Sequence, residues 1–459
     1  VVQGGSGMKY AAYSEYKSSG VEWLDVVPSH WTVKAARFGY SIQLGKMLQP
    51  ESSSSLDAET PYLKSQHVQW ESVRVDDLPL MWASPSELVK YGIRDGDLLV
   101  CEGGDVGRAG IVKEIPKGTI IQNALHRVRP RVRHDIRFLM YVLEHASGQS
   151  WFDIICNRST IAHFTGEKFG ALRVPEPPLD EQQTIARFLD AKTAQIDALV
   201  AQKRQLIDKL KEKRQALIAR TVTRGLPPEA AKAAGLEPNP EMKDSGVEWL
   251  GEIPAHWKAT RLKYAASKII DCPHDTPQYD PSGSYCVVRT ADLDSGTLDL
   301  SRAYRVDESE YIHRIRRAKV LPSDILYSRE GERWGQAAIV PLEPIICLGQ
   351  RMMQFRANTR FAPKFLMWHL SARCVYEQGE LDAAGSTAPH VNVETIRNYQ
   401  LVEPPLAEQV AIATFIDDQM VKLDSLSGQI LDAITRLTEY RQALVTSAVT
   451  GKIDVRELV

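Results

Sequence analysis

Residues Gly20 to Trp31 return 226 positions later as Gly246 to Trp257. The run Ser19-Gly20-Val21-Glu22-Trp23-Leu24 is matched letter for letter by Ser245-Gly246-Val247-Glu248-Trp249-Leu250. A period this long exceeds a solenoid or propeller repeat and is the size of a whole domain, so the chain encodes one architecture twice. Two equivalent sites in a pseudo-dimer are the expectation.

The repeat runs on towards the C-terminus at an offset close to 227: Phe138-Leu139-Met140 answers Phe365-Leu366-Met367, and Ser159-Thr160 with His163 answers Ser386-Thr387 with His390. Pro177-Pro178-Leu179 with Glu181-Gln182 becomes Pro404-Pro405-Leu406 with Glu408-Gln409, and Arg214-Gln215-Ala216-Leu217 becomes Arg441-Gln442-Ala443-Leu444. The ends of each copy agree while the middles mostly differ. Shared parts are expected to carry what both halves do alike, and the middles what each does differently.

With 459 residues, 43% of them hydrophobic, the chain has room for two cored domains and connecting helices and reads as soluble. No run approaches the ~18 consecutive apolar residues of a membrane span. The six cysteines form no Cys-x-x-Cys pair, so they read as reduced thiols of a cytoplasmic protein, with no structural zinc site implied. Val1 to Gly7, ahead of Met8, looks like an expression remnant outside the fold.

A net charge of −2 opposes non-specific nucleic-acid binding only if charge is evenly spread. Here it is clustered. Arg127, Arg129, Arg131 and Arg133 alternate along one segment, Arg314, Arg316, Arg317 and Lys319 form another cluster, and residues 191–224 hold nine Lys/Arg against three Asp/Glu. Each cluster alone fits a solvated face; three together favour a polyanionic partner.

The expected organisation is α+β: a first domain over 8–175, a helix over 176–224, a linker over 225–242, a second domain over 243–402, a second helix over 403–451 and a tail over 452–459. The Pro-Pro pairs followed by Glu-Gln mark the helix starts. In the first helix Ile196, Leu199, Leu206, Leu210 and Leu217 fall on 3-4 spacing interrupted by Lys203 and Lys213; in the second, Leu423, Leu426, Ile430, Ala433, Leu437, Tyr440 and Leu444 do the same. Such seams predict an intramolecular coiled coil, two separate core helices being the rival. The short linker makes the pair antiparallel, a rod of roughly 65 Å at ~1.5 Å per residue.

The Pro-Pro-Leu-x-Glu-Gln box followed by Ile185, Phe188 and Asp190, repeated with Ile412, Phe415 and Asp417, resembles the DNA specificity subunit of type I restriction-modification enzymes, as do the Gly-Val-Glu-Trp-Leu and Pro-x-His-Trp motifs. The resemblance covers essentially the whole chain. It implies two target-recognition domains, each reading one half of a bipartite asymmetric site on double-stranded DNA. The conserved helices would serve as spacer and as dock for two methyltransferase subunits, with motor and restriction subunits beyond them. On that reading Glu181, Gln182, Phe188, Glu408, Gln409 and Phe415 face partners. The chain itself binds no cofactor; S-adenosylmethionine, ATP and magnesium belong to the partner subunits.

Within the divergent middles, Leu44 to Leu48 and Tyr62 to Ser65 look like one allele of the family, offering Lys46, Lys64 and Gln66 to DNA. Pro273 to Pro277 with Val288 to Asp292 looks like another, offering His274, Arg289 and Thr290. A glycine-rich segment, Glu102 to Arg108, and its counterpart, Ser328 to Gly335, follow strands. Neither is a dinucleotide fingerprint or a P-loop, so the glycines would let backbone approach a phosphate while Arg108, Arg329 or Arg333 reaches DNA, a plain hairpin turn being equally compatible. Arg158, Ser159 and Thr160, and Ser386 with Thr387, are expected on phosphates, local capping being the rival. Trp23, Trp31, Trp249 and Trp257 are expected to pack, and Cys272 with His274 is too small a set for a metal.

Missing motifs decide the remaining class. There is no Asn/Asp-Pro-Pro-Tyr/Phe methyltransferase loop and no Walker lysine, which leaves no catalytic residues to assign, and a serine nucleophile lacks a local base. A stand-alone nuclease or methyltransferase and a scaffold without a DNA role are the alternatives.

Overall fold

The computed structural model describes residues 10–131, 133–156, 163–294, 296–331, 333–342, 345–383 and 390–458. Contacts divide the chain into two compact units, Val1–Lys203 with Asp432–Val459, and Arg204–Leu431. The repeated opening motif is a turn that needs its letters. Gly20 sits at φ +66° and Gly246 at +71°, where a Cβ is strained, and Ser19 and Ser245 each accept the following valine's N–H through Oγ at 3.0 and 3.1 Å. The turn delivers Leu24 and Leu250 to the interior.

In the first unit a five-stranded sheet runs in the order Tyr40–Leu44, Leu125–Pro130, Leu98–Cys101, Ala109–Ile111, Glu71–Ser72, and a three-stranded sheet runs Ile120–Ile121, Ala58–Leu63, Leu80–Ala83. The second unit repeats the smaller sheet and four of the five strands of the larger one. Ala266–Asp271, Met352–Ala357, Ile325–Ser328 and Ala337–Ile339 form one sheet, and Tyr304–Val306, Tyr285–Val288 and Ile346–Leu348 the other. Each smaller sheet contains one parallel pair, Tyr62 beside Ile120 and Cys286 beside Ile346. The middles that differ in sequence thus share one topology, because strand pairing needs apolar alternation rather than particular side chains.

The long helices are Leu179–Arg224 and Leu406–Val449. In the first unit Ile185, Phe188, Leu189 and Ile196, early in the first helix, share a core with Leu444, Val445, Ala448 and Val449, late in the second. In the second unit Arg214, late in the first helix, pairs with Asp424, early in the second, at 2.7 Å. Both units therefore hold the helices antiparallel.

The seam itself differs from the expected one. Leu199, Leu206, Leu426 and Tyr440 are exposed, and so is Lys213. The inward positions are Ile196, Val200, Lys203, Ile207, Leu210, Arg214 and Leu217, spaced 4-3-4-3-4-3, answered in the second helix by Leu423, Ser427, Ile430, Ile434, Leu437, Arg441 and Leu444. Two overlapping 3-4 registers were available, and the one chosen lets Arg214 and Arg441 lie at the seam against Asp424 and Asp197.

Part of the expected C-terminal tail packs into the first unit. Ile453 and Val455 are buried, the Asp454 N–H donates to the Ala11 carbonyl at 2.7 Å, and Gly451 (φ +70°) lies so close to Pro28 that a Cβ would fall 2.3 Å from its ring.

Candidate nucleic-acid interface

The Glu-Gln pair of the Pro-Pro-Leu-x-Glu-Gln box is turned inward, and burial of Glu181, Gln182, Phe188 and Gln409 withdraws those four from the partner-facing expectation. Glu181 accepts from Trp31 Nε1 at 2.9 Å, from Tyr13 Oη at 2.5 Å and faces His30 Nε2 at 2.8 Å; Glu408 accepts from Trp257 Nε1 and faces His256 Nε2, both at 2.8 Å. Gln182 accepts the Asp135 N–H and donates to the Pro177 carbonyl, and Gln409 accepts the Ala362 N–H and donates to Pro404. Phe188 is buried against Tyr10 edge-on, and Phe415 is half-buried. Asp190 holds Tyr141 and Arg137 as Asp417 holds Trp368 and Lys364. The box fastens each helix to its own domain because Glu and Gln, buried at the first helical turn, satisfy backbone and indole donors that would otherwise be orphaned.

Several basic candidates are also internal. Lys46 is 6% exposed, with Nζ on Gln49 at 2.7 Å and on Glu87, whose carboxyl that contact holds below its ordinary range. Arg329 is 3% exposed between Asp271 and Glu330, and Arg314 is enclosed by Glu310 and Asp275. Arg129 grips Asp97 with two bonds, Nε at 2.5 Å and Nη2 at 2.7 Å, as Arg356 grips Asp324, and Arg127 is spent on the carbonyls of Lys90 and Gly92. A cation alternating along a strand goes inward wherever an acid or a row of carbonyls waits there. Lys46 and Arg329 are thereby withdrawn as surface contacts. Arg131, on the same segment, is exposed.

What the fold brings together is one turn and one loop in each unit. Strand Ala58–Leu63 ends in the 3-10 turn Ser65–His67, closed by His67 Nδ1 accepting the Lys64 N–H at 3.0 Å. Arg108, from the glycine-rich loop, crosses to the Ser65 carbonyl at 3.1 Å and pairs with Asp105. Lys64 is half-buried there and Gln66 exposed. The second unit repeats the device: turn Thr290–Asp292 is closed by Asp292 accepting the Arg289 N–H at 2.8 Å, and Arg333 crosses from its loop to the Ala291 carbonyl at 2.9 Å. His274 leans on Asp271 at 2.9 Å, and Arg317 donates to the Asp271 carbonyl at 2.9 Å while staying exposed.

Arg289 is clamped by Asp292 at 3.0 Å and lies over the ring of Tyr304 at 3.6 Å, with Tyr279 edge-on to Tyr304 at 4.7 Å. Sequence reading missed both tyrosines, which follow no repeat. It also missed Asp97 and Asp324, which the 227 offset with Arg129 and Arg356 could have shown. Arg158, Ser159, Thr160, Ser386 and Thr387 lie outside the described residues. The cysteines among the described residues are free, and burial pushes the Cys347 and Cys374 thiols up to about 12, which leaves them poor nucleophiles. Among the described residues no cluster of three or more His, Cys, Asp or Glu could hold a metal, and no helix is long and apolar enough to cross a membrane.

The sequence model of the type I restriction modification DNA specificity domain matches residues 88–209 and 273–436, more than half of the chain. The EcoBI specificity subunit of Escherichia coli is 25% identical over 307 residues, which are 65% of this chain and 62% of that protein, so the match spans under two thirds of that relative. The MjaVIII specificity subunit of Methanocaldococcus jannaschii is 20% identical over 444 residues, 94% of this chain and 95% of that one. A chain solved in work on complex assembly and conformational transition of the type I R-M system shares the fold, with a TM-score of 0.67 at 15% identity over 92% of this chain and 98% of that chain. With two matched regions lying on two copies of one α+β scaffold, the chain belongs to the type I restriction-modification DNA specificity family.

Proposed function

We propose that this chain is the non-catalytic reader of a type I restriction-modification complex, each unit recognising one half of a bipartite asymmetric site on double-stranded DNA. The observation that carries the reading is one scaffold furnished twice with different chemistry. The same turn, crossed in each unit by an arginine from the corresponding loop though from a different position in it, presents Lys64 and Gln66 in one unit and Arg289 and Thr290 in the other. Amide and guanidinium groups discriminate base edges, and exposed Arg131 and Arg317 serve as phosphate contacts that set register. Arg108 and Arg333 shape the turns and stand beside the duplex. Arg158, Ser159, Thr160, Ser386, Thr387 and His274 remain proposed as contacts, and Arg127 and Arg129 as supports for the strand that leads into Arg131.

Chemistry then falls to two methyltransferase subunits and to motor and restriction subunits, which hold S-adenosylmethionine, ATP and magnesium, in the cytoplasm. Since the Glu-Gln boxes are internal, docking is assigned to the exposed flanks of the two helices rather than to those side chains. Exchanging residues 8–175 for the corresponding segment of another family member tests the reading. Mapping of modified adenines should show one half-site changed and the other kept; a change in both halves overturns it.

A further inference from the structure

His163 and His390 occupy equivalent places in the two units, and each is paired through Nδ1 with a carboxylate. His163 lies 2.9 Å from Glu102 and His390 2.9 Å from Glu330. Backbone pairing imposes the placement. The Phe164 N–H donates to the Glu102 carbonyl at 2.8 Å and the Val391 N–H to the Arg329 carbonyl at 3.2 Å, so each histidine is seated at the end of a central sheet strand, beside the glycine-rich loop. The carboxylates are not at matching positions, since Glu102 aligns with Arg329 and Glu330 is one residue further on. The pair has therefore been rebuilt in the second copy with a different residue.

Stability gives little reason for that. Both rings are about half exposed, 52% and 51%, and ion pairs so open to water add little to stability. What the carboxylate does fix is the ring's hydrogen. A carboxylate only accepts, so the nitrogen facing it carries the N–H, and in the neutral imidazole Nε2 is left with a lone pair. No partner for Nε2 is present in either unit among the described residues. Each recognition unit thus holds one oriented acceptor at the loop edge where DNA is proposed to lie.

We propose that His163 and His390 are specificity-determining residues, one per half-site, whose Nε2 accepts the exocyclic amine N–H of an adenine or a cytosine in the major groove. Those amines are the only donors that bases display there, so an oriented acceptor selects A or C and rejects G or T at its position. Glu102 and Glu330 act as positioning residues that hold the tautomer. The inference rests on the proposed DNA-reading function and deepens it.

The test uses the full chain assembled with its methyltransferase partner and a duplex carrying the site found by mapping modified adenines. Purine replaces each adenine, and 2-pyrimidinone each cytosine, one position at a time. Wild-type binding should weaken roughly five- to tenfold at one position in each half-site. His163→Ala should abolish that penalty in one half-site only and His390→Ala in the other, with purine and pyrimidinone arms telling adenine from cytosine. Glu102→Gln, which keeps the pair but frees the tautomer, should reduce the same penalty part-way, and unchanged melting shows the variants folded. Penalties identical in wild type and variants overturn the inference. So does a loss equal on cognate and random duplex with a shallower salt slope, which marks a phosphate contact. An assembly that does not prefer the mapped duplex at all fails the DNA-reading function itself.

Discussion

The indole N–H of Trp31 points at Oε1 of Glu181 at 2.9 Å, joining a side chain from the opening turn to one in the first turn of a helix 150 residues further on. Glu181 is 4% exposed and also carries the Tyr13 hydroxyl. Glu181→Ala leaves two buried donors without an acceptor and is expected to cost about 2–4 kcal/mol. Hydrogen exchange should quicken first at the start of the helix, near Leu179. Glu408→Ala, at a more open site with Trp257, should cost less. Equal protection in wild type and Glu181→Ala would remove the fastening role.

The duplication and the long helices were legible because each leaves a pattern in neighbouring letters. The direction of side chains was not. Glu181-Gln182 recur as Glu408-Gln409 because both halves need the same internal fastening, and recurrence alone cannot tell an internal contact from a partner's surface. The helix seam shows the same limit: Leu199 and Leu206 fit a 3-4 spacing as well as Val200 and Ile207, and the acids that face Arg214 and Arg441 in the observed register stand on the other helix, out of reach of a spacing argument. Lys46 and Arg329 read as surface cations until Glu87, Asp271 and Glu330 come to them from other segments.

Those two seam arginines should behave differently. Arg214 meets Asp424, which is 60% exposed, so Arg214→Ala is expected to cost under about 1 kcal/mol. Arg441 sits among Glu71, Glu144 and the exposed Asp197, and at a pH above 7, where Glu144 is ionised, its removal strands two partly buried carboxylates, costing about 3–5 kcal/mol. Denaturant unfolding of the two variants checks the order; equal losses would contradict it.

Three carboxylates around one guanidinium also set a pH dependence. Burial, with the charge of Asp197, raises the Glu144 carboxyl from 4.5 to about 7. An acid raised on folding holds its proton in the native state when the unfolded chain has already lost it. Stability from this group is therefore fully present below about 4.5 and falls as pH rises to about 7, by on the order of 3 kcal/mol. Glu144→Gln should flatten that segment of the stability curve. The measurement is the difference between wild-type and variant unfolding free energies from pH 4.5 to 8; a difference that does not vary with pH would show that Glu144 keeps its ordinary titration.

DNA contacts should separate into two kinds by how tightly the protein holds each cation. Arg131 and Arg317 have exposed side chains, suited to a phosphate, so alanine at either should weaken cognate and random duplex about equally and lower the salt slope by about one charge. Arg289 is held in place, clamped by Asp292 and backed by Tyr304 at 3.6 Å, so it meets a base edge with its rotamer already fixed and little freedom left to lose. Arg289→Ala is expected to cost ~1–3 kcal/mol on the cognate duplex and little on random sequence, and Lys64→Ala to do the same at the other half-site. Tyr304→Leu should give part of the Arg289→Ala effect without touching the salt slope, because the tyrosine supports the guanidinium rather than the phosphate. Titrations of both duplexes at several salt concentrations decide the matter: equal losses on cognate and random DNA for Arg289→Ala would place that side chain on the backbone, and an unaltered affinity in Tyr304→Leu would mean that the stack does not position it.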